Sequence, residues 1–505
     1  MTESSKAGPA NKTGPAHYDA AILGAGPAGL AAAVALAQAG ASVALVDAGV
    51  QLGGQYYRQP APALAARRPG RLHHHWQEFT HLADRCAQLQ DAGLIRYLPR
   101  TEIWAVERLE SESPGFRAHT TSARPGSFDC RALLLATGAY ERQIPFPGWD
   151  LPGVMTAGGA QALLKESLIV PDGRVLVAGT GPLLLPVAAG LAAAGANVVG
   201  LYEANRYRAY LRTMKAMRTL AAQPAKLAEA AGYAAALARF RVPVRAGRAV
   251  IAAHGTSQLE RVTVACLDNS GAAVPGTEKT IPCDTLAIGY GLVPQVEIGL
   301  ELGCPHRICA DATVALAVDN EQRTIVPGVW AAGEVTGVAG STAALAAGQI
   351  AGLSMARQLA ERPDLPQRLL RKRDRAVAMA DLLLAAHPVP GGWPDRLTPD
   401  TLVCRCEQIP AGLITESLDD LGADDLRTVK LLTRAGMGWC QGRMCGLAVA
   451  ALVERSRAAA TGAANTSIPE TPTPQAARDL LAAARRPIAR PVPLGVLAER
   501  PEEFE

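Results

Sequence analysis

Apolar and polar positions along the chain fall into repeated blocks. The first is a short apolar run, Asp19 to Leu23, then a glycine turn, Gly24 to Gly29, then an Ala/Leu-rich stretch, Leu30 to Gln38, and a second apolar run, Ser42 to Val46. Short apolar runs bounded by turn residues predict buried strands, and the longer stretch between them predicts a helix. Strand, helix, strand in that order predicts a parallel βαβ unit. The arrangement recurs at Arg174 to Gly179, Leu184 onward, and Asn197 to Tyr202. Residues 99–132 read as short strands and turns, and strands are predicted again at Arg261–Ala265 and Thr285–Gly289. Helical spacing covers 205–245, including Tyr207 to Met217, and returns at 341–359 and within Pro363 to Asp400. The fold class is therefore α/β with two such units.

The first turn is specific about chemistry. Gly24 permits the bend, Gly26 lets the backbone approach a pyrophosphate, and Gly29 lets helix and strand pack closely. Pro27 and Ala28 open the helix, whose N-terminus favours phosphate charge. Asp47, 23 positions after Gly24 and followed by Ala48, is placed to accept ribose hydroxyls. The loop Gln51 to Arg58, with Gly53, Gly54 and Gln55, is expected beneath the pyrophosphate on the way to an isoalloxazine. It holds no cysteine, which disfavours flavin-disulfide chemistry there. The strand ending in Ala136-Thr137-Gly138 is where a two-dinucleotide flavoprotein leaves its FAD domain. The strand ending in Gly333-Glu334 is where it returns, with the acid hydrogen-bonded to the ribitol chain. Ala343, in the helix that follows, completes the expected FAD site. Both units are thus predicted to be Rossmann-like, the FAD domain discontinuous and the second domain inserted into it.

In the second unit Leu184 replaces the third glycine, which alters the turn or moves the helix. A structural relic is the preferred reading over a working nicotinamide site. If a nicotinamide nucleotide did bind, Glu203 would favour NAD over NADP. Arg71 to Trp76 contains three consecutive histidines, which on a helix point about 100° apart. A solvated helix start accounts for them better than a metal site.

Bulk properties narrow the class. The chain has 505 residues, 49% apolar and 19% charged, with a net charge of +4. That is a globular composition without a nucleic-acid footprint. No run is long and apolar enough to predict a membrane helix, and the first residues lack a signal core, so a cytoplasmic protein is expected. Ten cysteines in that setting indicate thiols or metal ligands, not a disulfide framework. Cys266, Cys283, Cys304 and Cys309 show no close ligand spacing and read as buried or incidental thiols. The expected layout is a flexible 1–17, an FAD domain of 18–150 and 320–375, a second domain of 151–319, a linker of 376–400, a small helical domain of 401–458 and a tail of 459–505. The tail reads as a lid or partner-docking segment or as disorder.

Four of the thiols stand in two close pairs, Cys404 with Cys406 and Cys440 with Cys445. They form a soft tetrathiolate set that suits either a tetrahedral zinc or an iron-sulfur centre. A flavin domain in the same chain favours the redox centre. Arg405 and Arg443 are expected beside the thiolates, where positive charge would raise the cluster potential. No residue is assigned as an acid or base.

The segments Gly53–Gln55, Ala136–Arg142, Phe146–Trp149, Leu151–Thr156, Gly179–Pro182, Ala332–Glu334, Cys404–Cys406 and Gly436–Cys445 together resemble the alpha subunits of bacterial opine oxidases and of hydroxyproline and proline dehydrogenase complexes. A hydrogen cyanide synthase subunit belongs to the same group. The resemblance spans about Tyr18 to Leu497. Its most specific part is a bacterioferritin-associated-ferredoxin-like cysteine arrangement behind a two-dinucleotide flavoprotein. It implies an electron-transferring subunit with FAD and a [2Fe-2S] cluster. It also implies a D-amino-acid-oxidase-like beta partner, a small ferredoxin-like gamma partner in some complexes, and a quinone or carrier as acceptor. Some relatives hold FMN at a subunit boundary or ATP in place of FAD, and peripheral attachment to the inner membrane through the complex is a further option. The competing readings are a self-contained NAD(P)H-dependent reductase and a scaffold with an adenine nucleotide and zinc.

Overall fold

The structure, a computed structural model, describes residues 16–110, 115–121, 126–206, 210, 214–360, 365–460, 473–486 and 488–498. The first sheet runs Ile95–Leu98, Val43–Val46, Ala16–Leu23, Gly126–Leu135, Gly115–Thr120, Ile103–Leu109. The first four strands are parallel and the last two antiparallel. The ten-residue strand Gly126–Leu135 serves two neighbours along one edge. Its first half pairs with Gly115–Thr120, and Leu133 to Leu135 receive Val329–Ala331 in parallel. That late arrival makes the domain discontinuous, as the sequence predicts. Ala16 and His17 belong to the first strand and not to a flexible lead. The rest of that lead, up to residue 15, lies outside the described residues.

The second sheet is wholly parallel in the order Val244–Ala246, Asn197–Glu203, Arg174–Gly179, Thr285–Gly289, Val154–Thr156. Central strands such as Thr285–Gly289 are buried at every position, which is why they read as continuous apolar runs. The chain leaves the first domain through Ala139–Glu141 and comes back through Leu292–Pro294, two short strands paired antiparallel. This return precedes the expected boundary at 319. A Cβ at Gly299, in the helix Glu297–Glu301, would lie 2.4 Å from Leu316 and 3.2 Å from Leu135, so this segment already packs on the first sheet. Three-residue strands beside a proline carry too little periodicity to be read from sequence.

Two helices form the nucleotide-side layer of the first domain. Pro27–Gln38 and Gly340–Ala360 meet backbone to backbone, since a Cβ at Gly348 would lie 2.0 Å from the carbonyl oxygen of Ala28 and one at Gly352 2.6 Å from that of Ala32. The helix Gln367–Ala386 continues this layer, so the expected linker at 376 begins inside a helix. Leu369 from it is buried against Ala346 and Ile350.

The small domain comprises Leu402–Cys404 paired with Ile409–Pro410 and the helices Ala411–Asp419, Leu426–Thr433 and Gly446–Ala460. Trp149, from the domain crossing, donates its indole N–H to the carbonyl of Leu402 at 2.7 Å and ties this domain to the junction. The described part of the tail is docked. The helix Pro474–Ala484 places Asp479 to accept from Leu426 N at 3.2 Å and from Arg457 at 2.7 Å, and Ala489 N donates to Trp104 O at 2.9 Å. Among the described residues no helix is long and apolar enough to cross a membrane.

Candidate functional site

The glycine turn of the first domain is built as its spacing demands. Gly24 sits at φ +109°, where a Cβ would lie 2.2 Å from the Ala136 carbonyl oxygen, and a Cβ at Gly29 would lie 1.8 Å from that of Gly24. Asp47 reaches back to the turn, its Oδ2 accepting from Ala25 N and its Oδ1 from Gly49 N, both at 2.6 Å. The loop 51–58 is held below by Gly53 N donating to Ala25 O at 2.9 Å. Gly54 adopts φ +58° with its Cα beside Gly26, so two glycine backbones meet at the approach to the turn.

These groups open onto a cavity of about 1680 Å³. Gly24, Gly26, Pro27, Ala28, Asp47, Ala48, Gly54, Gln55, Ala136, Thr137, Gly138, Gly333 and Glu334 all line it. Gly29 and Gly53 support the wall from behind. Ala343 is a core residue, and Ser341, Thr342 and Ala344 take the wall position expected for it. Thr137 and Gln295 exchange hydrogen bonds, Oγ1 to O at 2.6 Å and Nε2 to O at 3.0 Å, which pins the exit strand to the returning one.

Glu334 tests whether a flavin nucleotide fits. Its Oε1 accepts from Gly340 N at 2.8 Å, while its Oε2 is buried without a partner. Burial pushes the carboxyl up to about 7, against the lowering effect of the Gly340 and Ala339 N–H groups. An orphaned carboxylate oxygen on the cavity wall is what a ribitol hydroxyl would satisfy. The residues fit the group.

The second turn faces the same cavity but is already engaged. In place of the third glycine, Leu184 is buried and the helix starts there, whereas the first domain's helix starts directly after Gly26. Leucine therefore alters the turn, one of the two outcomes its size allows. Glu203, itself buried, accepts from Gly181 N and Asn205 N at 3.0 Å each, and His387 Nδ1 lies 3.3 Å from it. Asn205 donates to Thr180 Oγ1 at 2.6 Å and to Pro388 O at 2.8 Å, and Thr180 donates to His387 O at 3.4 Å. The segment after Ala386 thus lies across the glycine turn.

At the far end the four cysteines converge as two contacting pairs, Cys404 with Cys445 and Cys406 with Cys440. Cys404 is drawn down to about 6 by the hydrogen bond from Cys445 and by the N–H groups of Gly436, Glu407 and Cys406. Cys445 is pushed up by the same bond and by burial. Gly438 leaves room for this, since a Cβ there would lie 2.3 Å from that of Cys406. Among the described residues no three His, Cys, Asp or Glu side chains close around one ion. Zinc needs four sulfurs at about 2.3 Å from one point.

Neither expected arginine lies free beside the sulfurs. Arg405 stands over the Trp149 ring at 5.9 Å. Arg443 Nη2 pairs with buried Glu297 at 2.8 Å, and Arg486 from the tail pairs with the same oxygen at 2.9 Å while donating to Gln441 O. Arg443 also lines the cavity, so the cysteine loop forms part of the nucleotide chamber's wall. This latch joins positions 297, 443 and 486 and has no sequence signal.

The histidines precede the helix Trp76–Asp91 instead of starting it. His73 stacks on Trp76 at 4.9 Å and His74 meets Tyr233 edge-on at 5.1 Å, so the two rings point apart, and His73, whose ring nitrogens are buried, is not solvated as expected. The remaining cysteines are free, and Cys283, Cys304 and Cys309 are buried.

Both parts of the chain have counterparts among known proteins. Residues 18–360 match the pyridine nucleotide-disulphide oxidoreductase family, and residues 402–455 match the BFD-like [2Fe-2S] binding domain. Hydrogen cyanide synthase subunit HcnB of Pseudomonas aeruginosa is 33% identical over 84% of this chain and 90% of its own length. The A subunit of opine oxidase from Rhizobium meliloti is 31% identical over 87% and 82%. The fold is shared with L-proline dehydrogenase from P. horikoshii, at a TM-score of 0.64 and 19% identity over 95% of this chain and 79% of that one. The chain therefore belongs to the pyridine nucleotide-disulphide oxidoreductase family, as a flavin oxidoreductase carrying a BFD-like [2Fe-2S] domain and related to HcnB and the opine oxidase A subunits.

Proposed function

We propose that this chain is the electron-transferring subunit of a heteromeric amine dehydrogenase acting on CH–NH donors of the opine or proline class. The observation that carries the reading is the shared wall, in which Arg443, between Cys440 and Cys445, lines the cavity that the first glycine turn opens. A flavin held there supplies two-electron acceptance, and an iron-sulfur centre supplies one-electron carriage. Gly24, Gly26 and the N-terminus of Pro27–Gln38 would hold the pyrophosphate, Asp47 the ribose and Glu334 the ribitol. Cys404, Cys406, Cys440 and Cys445 would hold the iron. A D-amino-acid-oxidase-like partner would oxidise the amine, and a quinone or carrier would take the electrons. The names of the relatives, which are subunits, support an assembly.

The test is co-purification with the partner and an amine screen with a quinone analogue. The complex is expected to turn over and the isolated chain not to; oxidation of an opine or hydroxyproline by the isolated chain at the complex's rate overturns the reading. The similarity to HcnB favours a second reading, a subunit of a hydrogen cyanide synthase, and cyanide release is measured for each amine of the same screen. A self-contained NADH reductase is disfavoured by the engaged second turn. NADH mixed anaerobically with the purified protein is expected to leave the flavin oxidised, and rapid bleaching would restore that alternative.

A further inference from the structure

One wall of the cavity carries a buried cation, Lys165. At about 1680 Å³ the cavity exceeds the ~300–1,000 Å³ of an ordinary small-molecule pocket. Its wall includes the loop 51–58 and residues of the helices Ala157–Ser167 and Pro224–Arg239, Lys165 among them. Lys165 is only 9% exposed. An ammonium carries three N–H donors. Here it makes one long hydrogen bond, to Tyr56 O at 3.3 Å, and stands 5.8 Å over the Tyr56 ring.

Among the described residues no carboxylate is paired with it. Glu166, its chain neighbour, is paired with Arg58, and Glu229 is engaged by Lys226 at 2.8 Å and by the Tyr233 hydroxyl at 3.3 Å. Burial and then the charge of Lys165 push the His73 imidazole down to about 4, so it is neutral. Burial and Arg58 bring Lys165 itself down to about 8, which leaves it mostly charged at neutral pH. A buried cation without a counter-ion is costly unless a ligand supplies the opposite charge.

We propose that Lys165 anchors an anion subsite in this cavity, taking the anionic oxygens of a carboxylate or phosphate group. The inference stands whether or not the chain relays electrons. Two sources share this chemistry: a phosphate of the bound nucleotide, or the carboxylate of an amino-acid-type ligand beside it. Acetate and inorganic phosphate, with chloride matched for ionic strength, are titrated into the purified full chain by calorimetry and thermal melting. The same is done with Lys165→Met and Lys165→Arg, and nucleotide content is measured for all three.

Saturable acetate binding that weakens at least tenfold in Lys165→Met and survives in Lys165→Arg, with nucleotide content unchanged, assigns a carboxylate ligand. Nucleotide content lost from Lys165→Met and kept in Lys165→Arg assigns the cofactor's phosphate. Folding is checked independently, because stripped Lys165→Met should melt no lower than the stripped wild type once a buried unpaired charge is gone. Equal anion binding and equal nucleotide content in wild type and Lys165→Met overturn the proposal, as does a stripped Lys165→Met that melts well below wild type, which would make Lys165 a structural residue.

Discussion

Glu334 shows what a single residue adds to a pattern. The sequence places an acid after a strand and a glycine, and the structure leaves one of its oxygens buried and unmatched. Burial raises its folded pKa to about 7, above the unfolded carboxyl near 4.5. The folded state then binds the extra proton across that window. Stability from this group is present below the unfolded value and is lost as pH rises through 7. In nucleotide-free protein, Glu334→Gln should therefore match wild type near pH 4.5 and gain on it as pH rises to 7, with the difference flat above. Thermal melts at stepped pH check this. A Glu334→Gln deficit that grows with pH would mean that the carboxylate is satisfied when charged. That Gly24, Gly26 and Asp47 meet at one turn, and that the four cysteines converge, was legible because the expected chemistry asks for one residue type at one spacing. Lys165 was not, because a lysine on a helix looks solvated until burial is known.

At the element scale, two contacts decide the geometry. The Pro27–Gln38 and Gly340–Ala360 helices touch at Gly348 and Gly352, so a side chain there pushes the glycine turn off the returning strand. Alanine normally stabilises a helix interior by about 1 kcal/mol over glycine. Gly348→Ala should invert that sign, lowering the melting temperature and the nucleotide content together, because its Cβ would sit 2.0 Å from Ala28 O. An unchanged or raised melting temperature would show that the pair can part without cost. The second contact is the latch at Glu297. Removing that carboxylate leaves Arg443 and Arg486 buried and unpaired, a loss of about 3–5 kcal/mol for a buried pair broken on one side. Glu297→Gln should accordingly release the tail helix, seen as faster hydrogen exchange over 474–486, and loosen the cysteine loop. Exchange unchanged there would contradict the latch. Strands and helices of ordinary length were legible from periodicity. The return crossing, the continuous helix Gln367–Ala386 and the docked tail were not, because their signals are short strands or long-range pairs.

For the whole molecule, the order of units predicted from the sequence stands: one nucleotide fold split by another, then a cysteine domain. What the sequence withheld is how they close on one another. Trp149 reaching Leu402, Arg443 reaching Glu297 and His387 lying by Glu203 join segments more than a hundred residues apart, and no local pattern encodes them. Together they place Arg443 of the cysteine loop on the wall of the first nucleotide chamber and close the second turn, the arrangement on which the proposed relay rests. The most direct measurement is photoreduction of the anaerobically purified chain, with visible and electron paramagnetic resonance spectra taken at each step and Cys440→Ser as control. The relay predicts that, as the flavin bleaches, the signal of a reduced [2Fe-2S] centre grows, and that it is missing from the control. A fully bleached flavin beside iron that stays oxidised, or a preparation holding zinc and no labile sulfide, would contradict it.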